Sequence, residues 1–293
     1  MLIGCGDVAR RALPQLLRRW RVYALVRAFD PTLRAAGVTQ ITGDLDQRQS
    51  LRRLAALADA VLHCAPPPTK PANGTDDPRT QRLLAALASR LSVPRRLVYI
   101  STTGVYGDCA GALVDETRTL RPTTARARRR AAAERRLRVW GKRGVCVSIL
   151  RAPGIYAAQR LPLQRLQRGD PVLPQGEDVF TNHIHADDLA AACLAALERG
   201  RANRACNISD DSNVLMGDWY DKLADAFALP RPPRLPRRQM ATHLSPVVLS
   251  FMNESRRIDN ARMKMELKLR LRYPTVDDGI AAALAAGANT CCG

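Results

Sequence analysis

Lysine is scarce in this chain, accounting for only five of its 46 basic residues (Lys70, Lys142, Lys222, Lys264 and Lys268), so arginine carries almost all of a formal net charge of +19. Such a field can attract nucleic acid or anionic cofactors. Aromatic residues are scarce too, at 4%, and no array of stacking rings accompanies the charge. Nucleic acid is therefore not the expected partner, and most guanidinium groups are read as solvated. No uncharged apolar run approaches the ~20 residues that cross a bilayer, and Arg10 and Arg11 interrupt the early apolar segment that a secretory signal would need. A cytoplasmic protein with no membrane attachment is the expectation. Eight cysteines occur without a single C-x-x-C pair, which is neither a disulfide framework nor a zinc site. They read as small buried side chains in a reducing compartment.

What is present starts at the amino terminus. Met1-Leu2-Ile3 is a short apolar strand, Gly4-Cys5-Gly6-Asp7-Val8-Ala9 follows G-x-G-x-x-A, and residues 10–20 form an amphipathic helix. Together they open a βαβ unit able to hold a dinucleotide pyrophosphate. Gly4 allows the tight turn, Gly6 lets backbone approach phosphate, Ala9 keeps the helix close to the sheet, and N–H groups at Asp7 and Val8 face the anion. Standing alone, the same residues equally describe an ordinary strand-to-helix turn. So little chain precedes Gly4 that a start upstream of Met1 is compatible with the pattern.

Residues 22–26 form a second strand ending at Arg27, roughly 20 residues past the glycines, where an acid would bind the ribose of NAD. A guanidinium suits the 2′-phosphate of NADP instead. Asp30 nearby keeps NAD open, and a solvent-facing arginine is the plain alternative. A third strand over 39–41 is closed by Gly43-Asp44-Leu45, with Asp44 either accepting from an adenine amino group or capping a helix over 47–57. The fourth strand, 59–65, runs into Pro66-Pro67-Pro68, which stops it and shapes a crevice edge at Ala65 and Pro66. His63 within it reads as a packed core imidazole. Beyond a loop over 69–78 and a helix over 79–91, the fifth strand, 96–100, delivers Ser101-Thr102-Thr103-Gly104-Val105-Tyr106-Gly107 at its carboxyl end, where ligands of open parallel sheets bind.

A helix over 124–140 carries Arg126, Arg128, Arg129, Arg130, Arg135, Arg136 and Arg138, and a sixth strand over 145–150 leads into Pro153-Gly154-Ile155-Tyr156. Residues 157–180 form an insert whose Arg160, Arg165 and Arg168 hint at an anionic substrate. His183 and His185 share a strand face beside Asp187 and Asp188. That grouping is read as a helix start capped by the Asp pair, and no metal is expected. Further along come a strand over 205–208, a helix over 218–229, a stiff proline-rich segment over 229–236, a helix over 261–267 and a loose tail after Gly287.

Gly4-Cys5-Gly6, Gly43-Asp44-Leu45, the segment from Ser101 to Gly107, Leu150-Arg151-Ala152-Pro153-Gly154-Ile155-Tyr156 and Ile184-His185-Ala186-Asp187-Asp188-Leu189 occur here in an order that resembles the NAD-dependent epimerase/dehydratase family, the extended branch of the short-chain dehydrogenases and reductases. The resemblance covers nearly the whole chain. It implies an α/β fold: a Rossmann-type, doubly wound parallel sheet with a smaller carboxyl-side substrate lobe. The NAD(P)-binding domain would comprise 1–153 and 183–210, and the substrate lobe 154–182 and 211–293. Leu45, Ala65, Pro66 and the nicotinamide-flanking Pro153 and Ile155 would join Gly4, Gly6, Asp7, Val8, Arg27 and Asp44 around the coenzyme. Arg256 or Arg257 would reach a substrate phosphate. The family often forms a homodimer through the helix equivalent to 124–140, although dense like charge across a two-fold axis works against it here.

One part of the family pattern is missing, because no Tyr-x-x-x-Lys occurs anywhere. The two places fall on Arg126 and Arg130, four apart and so on one helix face. In the family the tyrosine is the general acid or base, its pKa lowered by the lysine. A guanidinium, with pKa above ~12, exchanges no proton near neutrality. Arg130 is expected to inherit the lysine's ribose or phosphate contact, whereas Arg126 cannot inherit proton transfer. Thr102 matches the family's catalytic serine or threonine. Tyr106 and Tyr156 are the nearest substitute acids, at positions otherwise kept for packing or binding. Thr102, Arg126 and Arg130 thus form the expected catalytic set of a protein resembling the atypical subgroup that lacks the tyrosine. Two functions are carried forward: an oxidoreductase or epimerase using NADP, or NAD, on a small molecule such as a sugar nucleotide or carbonyl, and a sensor that binds the coenzyme without turnover. Nucleic-acid binding through the Arg-rich helix ranks third and would show steep salt dependence.

Overall fold

The computed structural model describes residues 1–69, 74–88 and 92–287. Its centre is a sheet of seven parallel strands, β1 (Leu2–Ile3), β2 (Tyr23–Val26), β3 (Thr39–Thr42), β4 (Ala60–His63), β5 (Arg96–Thr102), β7 (Cys146–Ala152) and β11 (Arg204–Asn207). Three short pairings accompany it: β6 (Leu113–Val114) with β13 (Arg257–Ile258), β8 (Gly154–Tyr156) with β10 (His183–His185), and β9 (Phe180–Thr181) with β12 (Val214–Leu215). The central order is β11-β7-β5-β4-β1-β2-β3, so the winding reverses between β1 and β4. A crevice outside the carboxyl ends of strands at such a reversal is where doubly wound sheets hold ligands. The Rossmann-type fold expected from the sequence is the one observed.

The helices are α1 (Asp7–Leu17), α2 (Pro31–Ala35), α3 (Pro78–Leu87), α4 (Ala125–Gly141), α5 (Leu163–Gln167), α6 (Ala186–Arg199), α7 (Met216–Ala226), α8 (Pro246–Met252), α9 (Ala261–Glu266) and α10 (Val276–Ala285). Helices α1 and α6 cover one sheet face, burying Val8, Ala12 and Leu16 with Leu189, Ala192 and Cys193. Helices α3 and α4 cover the other with Leu83, Leu87, Ala133 and Leu137. A separate core of Leu166, Val172, Trp219, Leu223 and Ile280 joins the insert to α7 and α10. His63 is a packed core residue, bonded to the Thr80 hydroxyl at 3.0 Å, and burial, helped by Arg130, lowers its pKa to about 3.

Several local expectations change. Residues 47–57 do not form an α-helix; a 3₁₀ run, Arg48–Leu54, turns there instead, burying Leu51 and Leu54. Asp44 does not cap it, because its carboxylate accepts from the Asp46 N–H two residues on, at 2.9 Å, in an Asx turn. Nor does the Asp pair cap α6. The His185 imidazole does, its Nδ1 accepting from the Asp187 N–H at 3.2 Å, while Asp188 accepts from the Arg272 and Tyr273 N–H groups and pins the chain before α10. The proline-rich segment is more than a surface connection, since the Val172 N–H donates to the Pro233 carbonyl and the Val172 carbonyl accepts from the Leu235 N–H, each at 3.0 Å. The helix expected over 79–91 is observed as Pro78–Leu87; residues 89–91, 70–73 of the expected loop and the tail beyond Gly287 lie outside the described residues.

Asp210, just past β11, is 3% exposed and has one carboxylate oxygen without a partner; the other accepts from the Ser212 N–H at 3.0 Å. Burial, with Asp211 and Asp188 adding to it, pushes its pKa up to about 8. An acid raised on folding contributes its full stability only below the unfolded value of about 4 and loses it as pH climbs to the folded value. Asp210→Asn, which keeps the Ser212 bond, should therefore raise the melting temperature at pH 8 and leave it unchanged near pH 4. Parallel thermal melts across that range check this, and equal shifts at both ends would remove Asp210 as the cause.

Candidate coenzyme crevice and adjoining cleft

The crevice begins at the turn between β1 and α1. Gly4 has φ +89°, and a Cβ on it would stand 2.6 Å from the Ala65 backbone nitrogen, so only glycine lets the ends of β1 and β4 meet. Gly6 is the N-cap of α1 in extended conformation, offers no side-chain bond to the first turn, and lacks a Cβ where one would enter open space. Unclaimed N–H groups at Asp7 and Val8 thus meet an unfilled cradle, the arrangement that suits a pyrophosphate. Asp7 places an acid at this anion-seeking end. Its charge is covered by Arg11, 2.7 Å from one carboxylate oxygen, and by Arg160 of the insert, 3.4 Å from the other.

At the end of the crevice expected to hold the ribose, Arg27 follows β2, is exposed, and makes no hydrogen bond or ion pair among the described residues. Asp30, the residue that would favour NAD, is committed elsewhere. It caps α2 through the Thr32 and Leu33 N–H groups and pairs with Arg10; the Thr32 and Arg10 bonds lower its pKa to about 2. Leu45 and Ala65 are buried along the crevice wall, and the Pro66 carbonyl accepts from Arg79 at 3.1 Å.

Next to the crevice, between the ends of β5 and β7 and the insert, lies a cleft of roughly 410 Å³ lined by Thr102, Arg126, Pro153 and Ile155 together with Arg160, Arg165 and Arg256. Thr102 caps the turn after β5, its hydroxyl oxygen accepting from the Gly104 N–H at 3.2 Å and keeping its proton to donate. Arg126 reaches the cleft with its guanidinium 4.0 Å from the Phe251 ring centroid. Arg130, one turn on, does not line it. Its guanidinium is held by the Tyr99 hydroxyl at 3.0 Å and the Ile100 carbonyl at 2.7 Å, at the crevice side of β5. The geometry therefore separates the two arginines, the first on the cleft and the second on the sheet.

Both tyrosines considered as substitute acids are sequestered. Tyr106 is buried, donates to Asn207 at 2.6 Å and accepts from Arg151, and burial pushes its pKa up to about 12. Tyr156 is buried beneath α10 with its hydroxyl 3.3 Å from the Thr275 carbonyl, and burial raises its pKa further. Of the arginines read as substrate contacts, Arg168 is turned to Asp170 and Arg257 to the Gly111 carbonyl and the Phe180 ring, leaving Arg160, Arg165 and Arg256. Sequence reasoning missed Glu254, a buried carboxylate of the cleft that accepts from the Thr123 hydroxyl and pairs with Arg256 at 2.9 Å. Its place beside Arg256 in the family-like tail was the available signal. On α4 most arginines are tied down, Arg129 to the Gly74 carbonyl, Arg136 to Asp76 and Arg138 to the Asn203 carbonyl, while Arg128 and Arg135 remain exposed. Among the described residues no group of His, Cys, Asp and Glu is placed to hold a metal, and no helix is long and apolar enough to cross a membrane.

Comparison with known proteins agrees with this fold. A conserved protein of unknown function from Silicibacter pomeroyi is 29% identical over 97% of both chains, with a TM-score of 0.80. The UDP-glucuronic acid 4-epimerase of Bacillus cereus, solved with NAD, superposes with a TM-score of 0.73 at 18% identity over 96% of this chain and 95% of its own, a likeness of fold. A 3-diazoavenalumate denitrifying reductase from Streptomyces is 26% identical over 132 residues, 45% of this chain and less than half of that relative, at 43%. Residues 5–209 match the model of the NAD dependent epimerase/dehydratase family. With its sheet reversing at a glycine-built crevice and the family pattern matched over more than half its length, the chain belongs to the NAD dependent epimerase/dehydratase family.

Proposed function

We propose that the protein is an NADP-dependent oxidoreductase or epimerase of the atypical type, acting on an anionic small molecule. The observation that carries the reading is the Gly4–Gly6 cradle at the start of α1, opening toward a separate cleft that holds Thr102. The coenzyme, when bound, supplies hydride transfer; the chain supplies binding, orientation and charge. In this reading Gly4, Gly6, Asp7 and Val8 cradle the pyrophosphate, Asp44, Leu45, Ala65 and Pro66 line the adenosine side, Pro153 and Ile155 flank the reactive ring, and Arg130 faces the ribose. Thr102 donates to a substrate oxygen, and Arg126 neutralises charge near it without moving a proton. The domain boundaries follow the same division, with 1–153 and 183–210 binding coenzyme and 154–182 and 211–293 binding substrate.

Arg27 selects the 2′-phosphate, free as it is while Asp30 is spent on α2 and Arg10. Arg27→Asp should weaken NADPH by roughly 10- to 100-fold, the worth of one charge-assisted bond, while NADH holds or improves. Fluorescence titrations of both coenzymes measure it, and an unchanged ratio would take Arg27 out of the site. A second reading, a coenzyme sensor without turnover, is favoured by the sequestered Tyr106 and Tyr156. Loss of NADPH absorbance against a panel of carbonyls, together with chromatography of sugar nucleotides incubated with the coenzyme-loaded protein, separates the readings: reduction or epimerisation of any member establishes the enzyme, and tight coenzyme binding with neither across the panel favours the sensor.

A further inference from the structure

Although aromatic residues are only 4% of the chain, Phe180, Trp219, Tyr220 and Phe251 all line the cleft that holds Thr102 and Arg126. Guanidinium groups already lie over three of these rings, Arg126 at 4.0 Å from Phe251, Arg165 at 4.5 Å from Tyr220 and Arg257 at 5.3 Å from Phe180. Cationic donors there are left unspent. Nε and Nη2 of Arg165 and Nε of Arg256 are buried without a hydrogen-bond partner, Arg165 Nε lying 3.4 Å from Asp170 but out of line for a bond. Arg126 makes no hydrogen bond or ion pair among the described residues, and burial pushes its pKa down, so an anion beside it would be welcome.

Most acceptors among the neutral and acidic groups of the cleft are, by contrast, already engaged. Thr102 and Thr124 accept from the Gly104 and Ala127 N–H groups, Asn182 bridges the Arg256 carbonyl and the Ile258 N–H, and Glu254 is shared between Thr123 and Arg256. Beyond the Thr102 and Thr124 hydroxyl protons and the unpartnered Nδ1 of His183, a substrate rich in hydroxyl groups would find few free partners there. A flat ring bearing one anionic group would find both ring faces and guanidinium forks. We infer that the cleft takes a planar aromatic acid, its ring against the half-exposed Phe251 and its carboxylate or phosphate on Arg126 and Arg165. The inference deepens the proposed function, resting on it for the reacting end beside Thr102.

Calorimetric titration of the full chain, with and without saturating NADPH, tests it using trans-cinnamate, phenyl phosphate, cyclohexanecarboxylate, cinnamyl alcohol and UDP-glucose as probes. At least one aromatic anion should bind ten times more tightly than the ring-free acid, the uncharged alcohol and UDP-glucose. Whichever of cinnamate and phenyl phosphate leads identifies the anionic group. Arg126→Gln and Phe251→Ala, the latter at a half-exposed ring, should each weaken that probe at least fivefold at an unchanged melting temperature. UDP-glucose binding most tightly, the ring-free acid matching the aromatic one, neither aromatic anion binding, or both variants binding normally would each overturn the inference. The selectivity seen without NADPH while NADPH itself fails to bind would leave the cleft inference standing and the coenzyme reading lost.

Discussion

Glu134→Ala should destabilise the protein by about 3–5 kcal/mol, the cost of leaving a buried guanidinium without its partner. Glu134 is 1% exposed on α4 and holds Arg151 of β7 through both carboxylate oxygens, at 2.8 Å to Nη2, while accepting from the Ser101 hydroxyl of β5 at 2.5 Å. Burial works against the Arg151 charge, but Glu134 more than offsets it and raises the Arg151 pKa. The same guanidinium bonds Tyr106, which in turn bonds Asn207 of β11. One carboxylate therefore ties α4, the helix that carries Arg126 and Arg130, to three strands. A melting temperature lowered on the order of 6–20 °C is the expected reading. Combining Glu134→Ala with Arg151→Met should cost less than the sum of the two, because the second change removes the stranded charge. Additive losses, or a shift of only a degree or two, would show that the pair is not a structural anchor.

At the crevice, a comparison of two glycines separates fold from binding. Gly4→Ala combines a left-handed backbone, about 1–2 kcal/mol for a residue with a Cβ, with a Cβ 2.6 Å from the Ala65 nitrogen, which adds roughly 1–3 kcal/mol of overpacking. Melting temperature and coenzyme affinity should fall together. Gly6→Ala meets nothing within 4 Å and sits at φ −77°, so stability should hold within about 1 kcal/mol. Its methyl group would occupy the space assigned to the pyrophosphate, and NADPH affinity should fall at least tenfold. Thermal melts and titrations on the two variants give the answer. A Gly6→Ala protein that binds NADPH like the parent would place the phosphates elsewhere.

The central sheet was legible in the sequence because its signals are local and redundant. Apolar runs such as 59–65 and 96–100 end in residues that cannot continue them, Pro66 in one case and the Thr-Gly turn in the other. Each of the expected strands formed within a residue or two of its expected ends. Most of what was missed depends on neighbours far along the chain. The exception is the capping box of helix α10, Thr275 with Asp278, whose signal is local to the tail. The capping of α6 by His185, by contrast, follows from Asp187 and Asp188 being drawn off to Arg11 and to the chain before α10, which no local pattern encodes. At the site, the one-face spacing of Arg126 and Arg130 was readable, but their separation was not. It arises because the Tyr99 hydroxyl and the Ile100 carbonyl capture one guanidinium and Phe251, from a distant helix, captures the other. Glu254 carried one local signal, its place beside Arg256, but only the folded chain brings it beside Thr123 and into the cleft.

The most direct test is titration of the purified chain with NADPH and with NADH, followed by coenzyme fluorescence. The account predicts saturable one-to-one binding of both with a preference for NADPH. Failure of either coenzyme to bind at millimolar concentration would contradict it.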